Sequence, residues 1–559
     1  MHLLVYGFEL KRNTFWFGNP PSRKAVNSNA SNPSAGDDTD RGCLPDGRGQ
    51  FPPSSCMSIF QPIPLGQRIP GSPHSVACSL PTLRDIIGYE EGQPETTRHI
   101  TSGYPRFVVH SHARQLCVYL VSRPELAGKS LWLVSSAKMA AALADHLGRS
   151  EPAGAVPFCI DGIDGVAYRD TVALNARGKV FLQHLGGFLS SRAAEDHLVR
   201  LGVITHAAPE KLFPGASSAE IPRVLRTASP AAPDNDLLLA PSGMNALYAS
   251  FRAINALQAP RGRTVWIQLG WLYLDSIALL KKFTATPATD YIRLGDVTDF
   301  AAIERVFKEQ GNRIAGLIIE APTNPLIQTP DVAAVAALAR KHGARVILDP
   351  AISSPFNVDL LAHADVVPQS LTKYTAHEGD VIAGVVVINP TSPDADQLRD
   401  GILEWLEPVH ERDLSRLAAQ IGTTQKVVAK INANAQRVAA FLENHPAVKQ
   451  IWWALQPATR DNYLKIARTP ESVGGMISFT LHGSMEKFYD RVRLPKGPSF
   501  GMSTTLISPF IYLAHYDLVT SEAGRAELAA HGLTPELLRL SVGTEPVDDI
   551  IETLAEALI

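Results

Sequence analysis

Between residues 236 and 390 the chain alternates short apolar runs with longer amphipathic ones. The runs "TVWIQLG", "AGLIIEAP", "ARVILDPA", "DVVPQSL" and "IAGVVVINP" have the length and apolar content of buried strands. Between them, "DSIALLKKF" and "TPDVAAVAALARKHG" repeat apolar residues at the spacing of one helical face. The second predicts a helix over 330–342, with Thr329 as N-cap, Pro330 in the first turn and Gly343 just past the end. Strand–helix–strand alternation predicts an α/β fold with a large, mostly parallel sheet covered on both faces.

The pattern is weaker over 110–235, where "KSLWLVSS" reads as a strand and "AKMAAALADHLG" as the helix after it, closed by Gly148. A small α/β insert is predicted there. After about residue 415 a long helical stretch runs to Asn444. A second, smaller α/β unit follows, with strands in "GGMISFTLHG" and "LLRLSVGTE" and a last helix "VDDIIETLAEALI". Residues 19–56 are rich in Pro, Ser, Asn, Gly and Asp, a composition that cannot offset the entropy of ordering. The expected division is a disordered tail at 1–56, an N-terminal arm at 57–109, the insert at 110–235, a large α/β domain at 236–425 and a smaller C-terminal domain at 426–559. No internal repeat is visible.

Composition narrows the function classes. The 559 residues are 45% hydrophobic and 19% charged, as in a globular protein, and a net charge of −3 gives no reason to expect nucleic acid. No basic stripe or bilayer-length apolar run points to a membrane. Glu9, Lys11 and Arg12 interrupt the apolar start too early for a signal peptide. Cys43, Cys56, Cys78, Cys117 and Cys159 form no C-x-x-C and no zinc-like pairing with histidine, so reduced thiols, a cytoplasmic setting and no metal are expected.

Parallel sheets bind ligands outside the carboxyl ends of their strands, and there the polar residues converge. Glu320 and Asn324 follow "GLII", Asp349 follows "RVIL" and Ser370 follows "DVVPQ". Ser242-Gly243-Met244 lies between "DLLLAP" and a predicted helix starting near Asn245, where backbone amides could close on an anion. Ser370 and Thr372 add hydroxyls, though alone they read equally as turn residues. Asp349 could be a helix cap or a carboxylate set against a protonated ring nitrogen. Lys373, desolvated in the same cleft, would become nucleophilic toward an aldehyde. A phosphate cradle, an aspartate and a buried lysine together describe a pyridoxal phosphate (PLP) site.

The ordered set "APSGMNAL", "EAPTNP", "ILDPA" and "SLTKY" resembles the Cys/Met-metabolism family of PLP enzymes, the cystathionine γ-synthase group. "PHSVACSLPTLRDIIGYEEG", "GYPRFVVH", "SFGMSTTLISPFIYLAHY" and "LLRLSVGTE" are similar to its fungal branch. The resemblance covers about residues 60–559, thinnest over 120–230, and implies fold type I. It implies that Lys373 carries the cofactor and is the main general base, that Asp349 pairs with the ring nitrogen, and that Tyr273 stacks on the ring. It places Gly243, Met244, Ser370 and Thr372 at the phosphate and Asn324 near the ring hydroxyl. Tyr104 and Arg106, from "GYPRF", would reach the phosphate of the neighbouring subunit, making the 57–109 arm part of a site shared within a homodimer or homotetramer. Ser499 and Arg539 would hold the substrate carboxylate. Tyr104 and Tyr273 would assist proton transfer.

Three departures stand out. The family's "D-N-T" is Asp349-Pro350-Ala351, the stretch after the lysine reads "TAHEGD", and Thr504 stands where bacterial relatives carry a selecting glutamate. The long separation of Tyr104 from Ser242 implies the insert. The implied activity is a PLP-dependent transferase reaction, γ-replacement on an O-acyl-L-homoserine by a thiol such as cysteine, in trans-sulfuration and methionine metabolism. Sulfide, carbon or amine nucleophiles and a γ-elimination lyase are alternatives. A non-catalytic scaffold is the rival from another class.

Overall fold

The structure is a computed structural model that describes residues 59–105, 108–149 and 154–559. The expected tail at 1–56 and Arg106 lie outside the described residues. The arm opens with two short antiparallel strands, β1 (Arg68–Ile69) and β2 (Ala77–Cys78), and the helix Leu83–Glu90. Thr82 starts that helix with a capping box, its hydroxyl accepting from Asp85 N–H while the Asp85 carboxylate accepts from Thr82 N–H. Residues 110–235 contain a three-stranded antiparallel sheet, β3 (Ser130–Leu133), β4 (Ala155–Ile160) and β5 (Ile163–Tyr168), in the order β3-β5-β4. The helices Ala137–Gly148 and Val172–Leu185 accompany it.

The large sheet has seven strands: β6 (Leu237–Ala240), β7 (Val265–Leu269), β8 (Tyr291–Leu294), β9 (Ile314–Glu320), β10 (Arg345–Asp349), β11 (Val366–Ser370) and β12 (Gly384–Ile388). Their order is β6-β12-β11-β10-β9-β7-β8, and the pairings from β8 to β11 are all parallel. β12 runs antiparallel to both its neighbours. Every residue of β7, β9 and β12 is buried, as a sheet covered on both faces requires. The C-terminal sheet is antiparallel: β13 (Val448–Trp452), β14 (Met476–Leu481), β15 (Leu506–Pro509) and β16 (Leu538–Ser541), ordered β13-β14-β16-β15.

Two expected boundaries differ. The helix expected from 330 is Val332–Lys341, and its N-cap is Asp331, whose carboxylate accepts from Ala334 N–H at 3.1 Å; Thr329, two residues earlier, is fully buried. The long helix expected up to Asn444 is two helices, Glu411–Ile421 and Thr424–Glu443, broken at Gly422 and Thr423. No helix among the described residues is long and apolar enough to cross a membrane.

Candidate active site

Sheet register sets the site. Asp349 and Glu320, the last residues of β10 and β9, are direct register partners, so two carboxyls emerge side by side. Glu320 is buried and Asp349 partly so; desolvation raises the Asp349 carboxyl to about 7, and desolvation and the Asp349 charge raise Glu320 well above the carboxylate range. Asp349 Oδ1 accepts from Ala351 N–H at 2.8 Å. Glu320 Oε1 accepts from Tyr273 N–H at 2.6 Å, fixing the tyrosine at the start of the helix Leu274–Phe283.

On the other side of β10, Ser370 pairs with Gly384 and Gly384 with Ala240, which brings Ser242 and Gly243 against the end of β11. Ser242 caps the helix Gly243–Gln258, its hydroxyl accepting from Asn245 N–H at 3.1 Å. A Cβ on Gly243 would stand 2.8 Å from Ser370 Cβ, so glycine is what lets the helix start this close to the strand end. The first-turn amides of a helix have no intrahelical acceptor and favour an anion. Thr372 is buried beside this cradle and accepts from Ala383 N–H at 3.1 Å.

Lys373 follows immediately. Its ammonium donates to the Tyr104 hydroxyl and lies 3.3 Å from Ser499 Oγ, while Tyr104 Oη and Ser499 Oγ are 2.9 Å apart. The Tyr104 and Phe500 rings face the same nitrogen at 4.3 and 4.7 Å. The next residue, Tyr374, is fully buried; its hydroxyl donates to Ile352 O and its amide to Gly501 O. Ser499 sits at φ +121°, a conformation costly for a residue with a Cβ and typical of functional sites. Burial raises the Tyr104 phenol, so the hydroxyl stays protonated.

The C-terminal sheet supplies the last charge. Arg539, in the centre of β16, is buried, donates to Asn324 Oδ1 at 3.1 Å and lies under the Phe500 and Phe510 rings. A cavity of about 1050 Å³ is bordered by every described candidate, from Tyr104, Gly243, Met244 and Tyr273 to Asn324, Asp349, Ser370, Thr372, Lys373, Ser499 and Arg539.

Within the chain, the Tyr104 hydroxyl meets Lys373. Ile69, Val76 and Ala77 of the arm bury against Met502 and Leu506, with Tyr104 packed on that cluster. The "TAHEGD" stretch is also tied down, His377 bonding Ser503 and Thr423, and Asp380 bonding Arg416 and Gln420. Phe500 and Phe510 were not singled out from sequence, although both lie in the "SFGMSTTLISPF" run that flanks Ser499.

The residues present suit PLP: a helix-start cradle for the phosphate, a carboxyl whose burial calls for a cation at the ring nitrogen, and an amine for the aldehyde. Residues 234–559 match the family described as Cys/Met metabolism PLP-dependent enzyme. The L-2-amino-4-chloropent-4-enoate dechlorinase/desaturase of Streptantibioticus cattleyicolor is 39% identical over 491 residues, 88% of this chain and 97% of that protein. The cystathionine gamma-synthase of Neurospora crassa is 27% identical, over 89% of this chain and 98% of its own length. Among solved structures, the cystathionine gamma synthase of Xanthomonas oryzae pv. oryzae in complex with cystathionine shares the fold, with a TM-score of 0.52 and 24% identity over 62% of this chain and 86% of that one.

Proposed function

The chain belongs to the Cys/Met metabolism PLP-dependent enzyme family, and from that premise we propose that it removes a substituent from Cγ of an L-amino acid, with γ-elimination as the main outcome. The observation that carries the reading is the Lys373 ammonium within reach of the Tyr104 and Ser499 hydroxyls, in one cavity with Asp349 and Arg539. When bound, PLP supplies the electron sink that lets Cα–H and then Cβ–H ionise.

In this reading Lys373 holds the cofactor, then takes the proton from Cα and moves protons at Cβ and Cγ. Tyr104, kept protonated by burial, hydrogen-bonds that amine and returns a proton to it. Arg539 grips the substrate carboxylate as a fork, with Asn324 aligning the guanidinium and Ser499 adding a hydroxyl. Asp349 binds the ring nitrogen, Tyr273 stacks on the ring, and Gly243, Met244, Ser370 and Thr372 hold the phosphate, with Arg106 as its further cation. Phe500 and Phe510 exclude water around Arg539 and the amine.

The similarity to the chloropentenoate enzyme favours elimination, because C4 of that substrate, which bears the chloride, is Cγ. Loss of one proton and one chloride leaves a product lighter by HCl and one unsaturation richer. The second reading, γ-replacement on an O-acyl-L-homoserine by a thiol, is favoured by the similarity to the Neurospora synthase. The test is to incubate PLP-loaded protein with L-2-amino-4-chloropent-4-enoate, and separately with O-acetyl-L-homoserine and cysteine, following chloride, acetate and product mass. Chloride release with the HCl-depleted amino acid is expected; acetate with cystathionine selects the second reading, and neither release discards both. Lys373→Ala is expected to lose both reactions and the absorbance near about 420 nm of lysine-bound cofactor.

A further inference from the structure

We propose that His74, His110 and His112, with the carboxylate of Glu195, form a binding site for one divalent transition-metal ion of the zinc class. The site lies outside the PLP cleft proper and stands whatever reaction the protein performs. No cysteine–histidine spacing marks it in the sequence; the folding of the arm makes it.

His110 is the N-cap of the helix Ser111–Leu120, which puts His112 in the first turn beside it. Two bonds fold this segment back on His74: Ser102 Oγ donates to Ser75 O at 2.8 Å, and His110 Nε2 bonds Pro73 O at 2.9 Å. All three histidines belong to the continuous stretch 74–112, so the triad holds together whichever copy of the chain lies beneath it. One ring nitrogen from each histidine lies within 4.8 Å of those of the other two. The His74 ring centroid is 5.8 Å from those of His110 and His112, which are 4.8 Å from each other. Imidazoles sharing a tetrahedral zinc, with Zn–N of about 2.0–2.1 Å, stand roughly 5 Å apart between centroids. Their ligand nitrogens are about 3.3 Å apart, so closure on an ion needs side-chain movement of about 1 Å.

The donors are in a state that suits a metal. Pro73 O can only accept, so His110 carries its proton on Nε2 and keeps a lone pair on Nδ1, which accepts from His112 N–H at a long 3.2 Å. His74 Nδ1 has the Ser191 hydroxyl at 2.9 Å as an outer partner, and its Nε2 faces Glu195 Oε2 at 3.1 Å. His112 Nε2 faces the other oxygen of that carboxylate at 3.8 Å, beyond hydrogen-bond length. The His112 Nδ1 is buried with no hydrogen-bond partner, a costly state that a ligand would relieve. Burial lowers the pKa of all three rings, that of His110 to about 4, so the lone pairs are free at neutral pH.

The surroundings accept added positive charge. Glu195 is buried and belongs to an ion network built on Arg192, Arg412 and Arg416 that contains more carboxylates than guanidiniums. Arg68 and Arg114 face His110 from outside that network. Imidazole and carboxylate donors without a thiolate suit zinc and its first-row neighbours rather than magnesium or calcium. His74 and His110 also border the cavity that contains Tyr104 and Lys373, and Tyr104 lies between them in sequence. An ion here would brace the Tyr104 segment, a structural role rather than a chemical one.

The test uses the full chain, tag-free and PLP-loaded, stripped with EDTA and then dialysed against buffered Zn2+. Zinc counted by plasma mass spectrometry is expected at about one ion per chain. It should be retained at about pH 5.5, where exposed histidines with a pKa near 6.5 are mostly protonated. His112→Ala removes the unpartnered nitrogen and leaves the His74–Glu195 contact in place. It is expected to weaken zinc binding at least roughly 100-fold, the upper range for losing even an outer partner, and to abolish the zinc-dependent rise in melting temperature. His206→Ala, at an exposed position outside the cluster, is expected to keep both. Absence of bound zinc, or unaltered zinc affinity in His112→Ala, overturns the proposal. If His112→Ala does not fold, as judged by far-UV circular dichroism, Co2+ replaces zinc in the unaltered chain. The intense visible bands of four-coordinate cobalt then support the site, and the weak bands of hydrated cobalt overturn it.

Discussion

Arg539 is the residue most exposed to a conservative test. It lies between the Phe500 and Phe510 rings at 5.3 and 4.4 Å and donates to Asn324, so its planar fork is aligned before any substrate arrives. Lysine would keep the charge and lose the second hydrogen bond and the stacking. Arg539→Lys is expected to lower kcat/KM roughly 10- to 100-fold, mostly through KM, with PLP absorbance unchanged. At this scale much was legible: Lys373, Asp349 and Arg539 stand at strand ends or in an apolar strand, where a charge needs a reason. Glu320 was legible as a polar residue at a strand end, but its hold on Tyr273 was not. That bond depends on how a loop turns after β7, which no spacing encodes.

Among the elements, the helix Gly243–Gln258 starts closest against the end of β11. Its cap hydroxyl on Ser242 satisfies Asn245 N–H and is itself pressed by Gly186. Ser242→Ala is expected to cost ~1 kcal/mol of stability. It should also weaken PLP retention, read as faster loss of the band on dialysis. The five central strands β7, β9, β10, β11 and β12 were readable from apolar runs, because strands buried on both faces leave no polar alternation, whereas the partly buried edge strands β6 and β8 were not. The shift of the helix cap from Thr329 to Asp331 was not readable: two acceptable cap residues stood two positions apart, and tertiary burial took the threonine. The helix break at Gly422 and Thr423 was similarly hidden inside a continuous amphipathic pattern.

For the whole molecule, the paired carboxyls make stability depend on pH and on cofactor. Asp349 in the folded chain holds its proton up to about 7, above the unfolded value, so the folded state binds more protons across the window from the usual aspartate range to about 7. Stability from this group is full below that window and is lost as pH rises through it. Without PLP, Asp349→Asn is therefore expected to raise the melting temperature at pH 8 and to change it little at pH 4, as thermal melts would show. In the proposed reading the ring nitrogen of PLP faces Asp349 and favours its carboxylate, so with PLP bound the advantage of the asparagine is expected to disappear. Saturating PLP at a hundredfold over Kd should add about 2.7 kcal/mol to the unaltered chain.

By itself the sequence determined the alternating strands and helices, the chemical identity of the cradle, lysine, aspartate and arginine, and the family they resemble. Each of these is written in local pattern: period, strand-end placement, or a residue type that burial would otherwise forbid. Only the tertiary structure decided that Tyr104 meets Lys373, that His74, Glu195 and Arg412 converge, and that the insert leans on the helix Gly243–Gln258. These are contacts between positions far apart in the chain, and their partners are chosen by how layers pack rather than by neighbours in sequence.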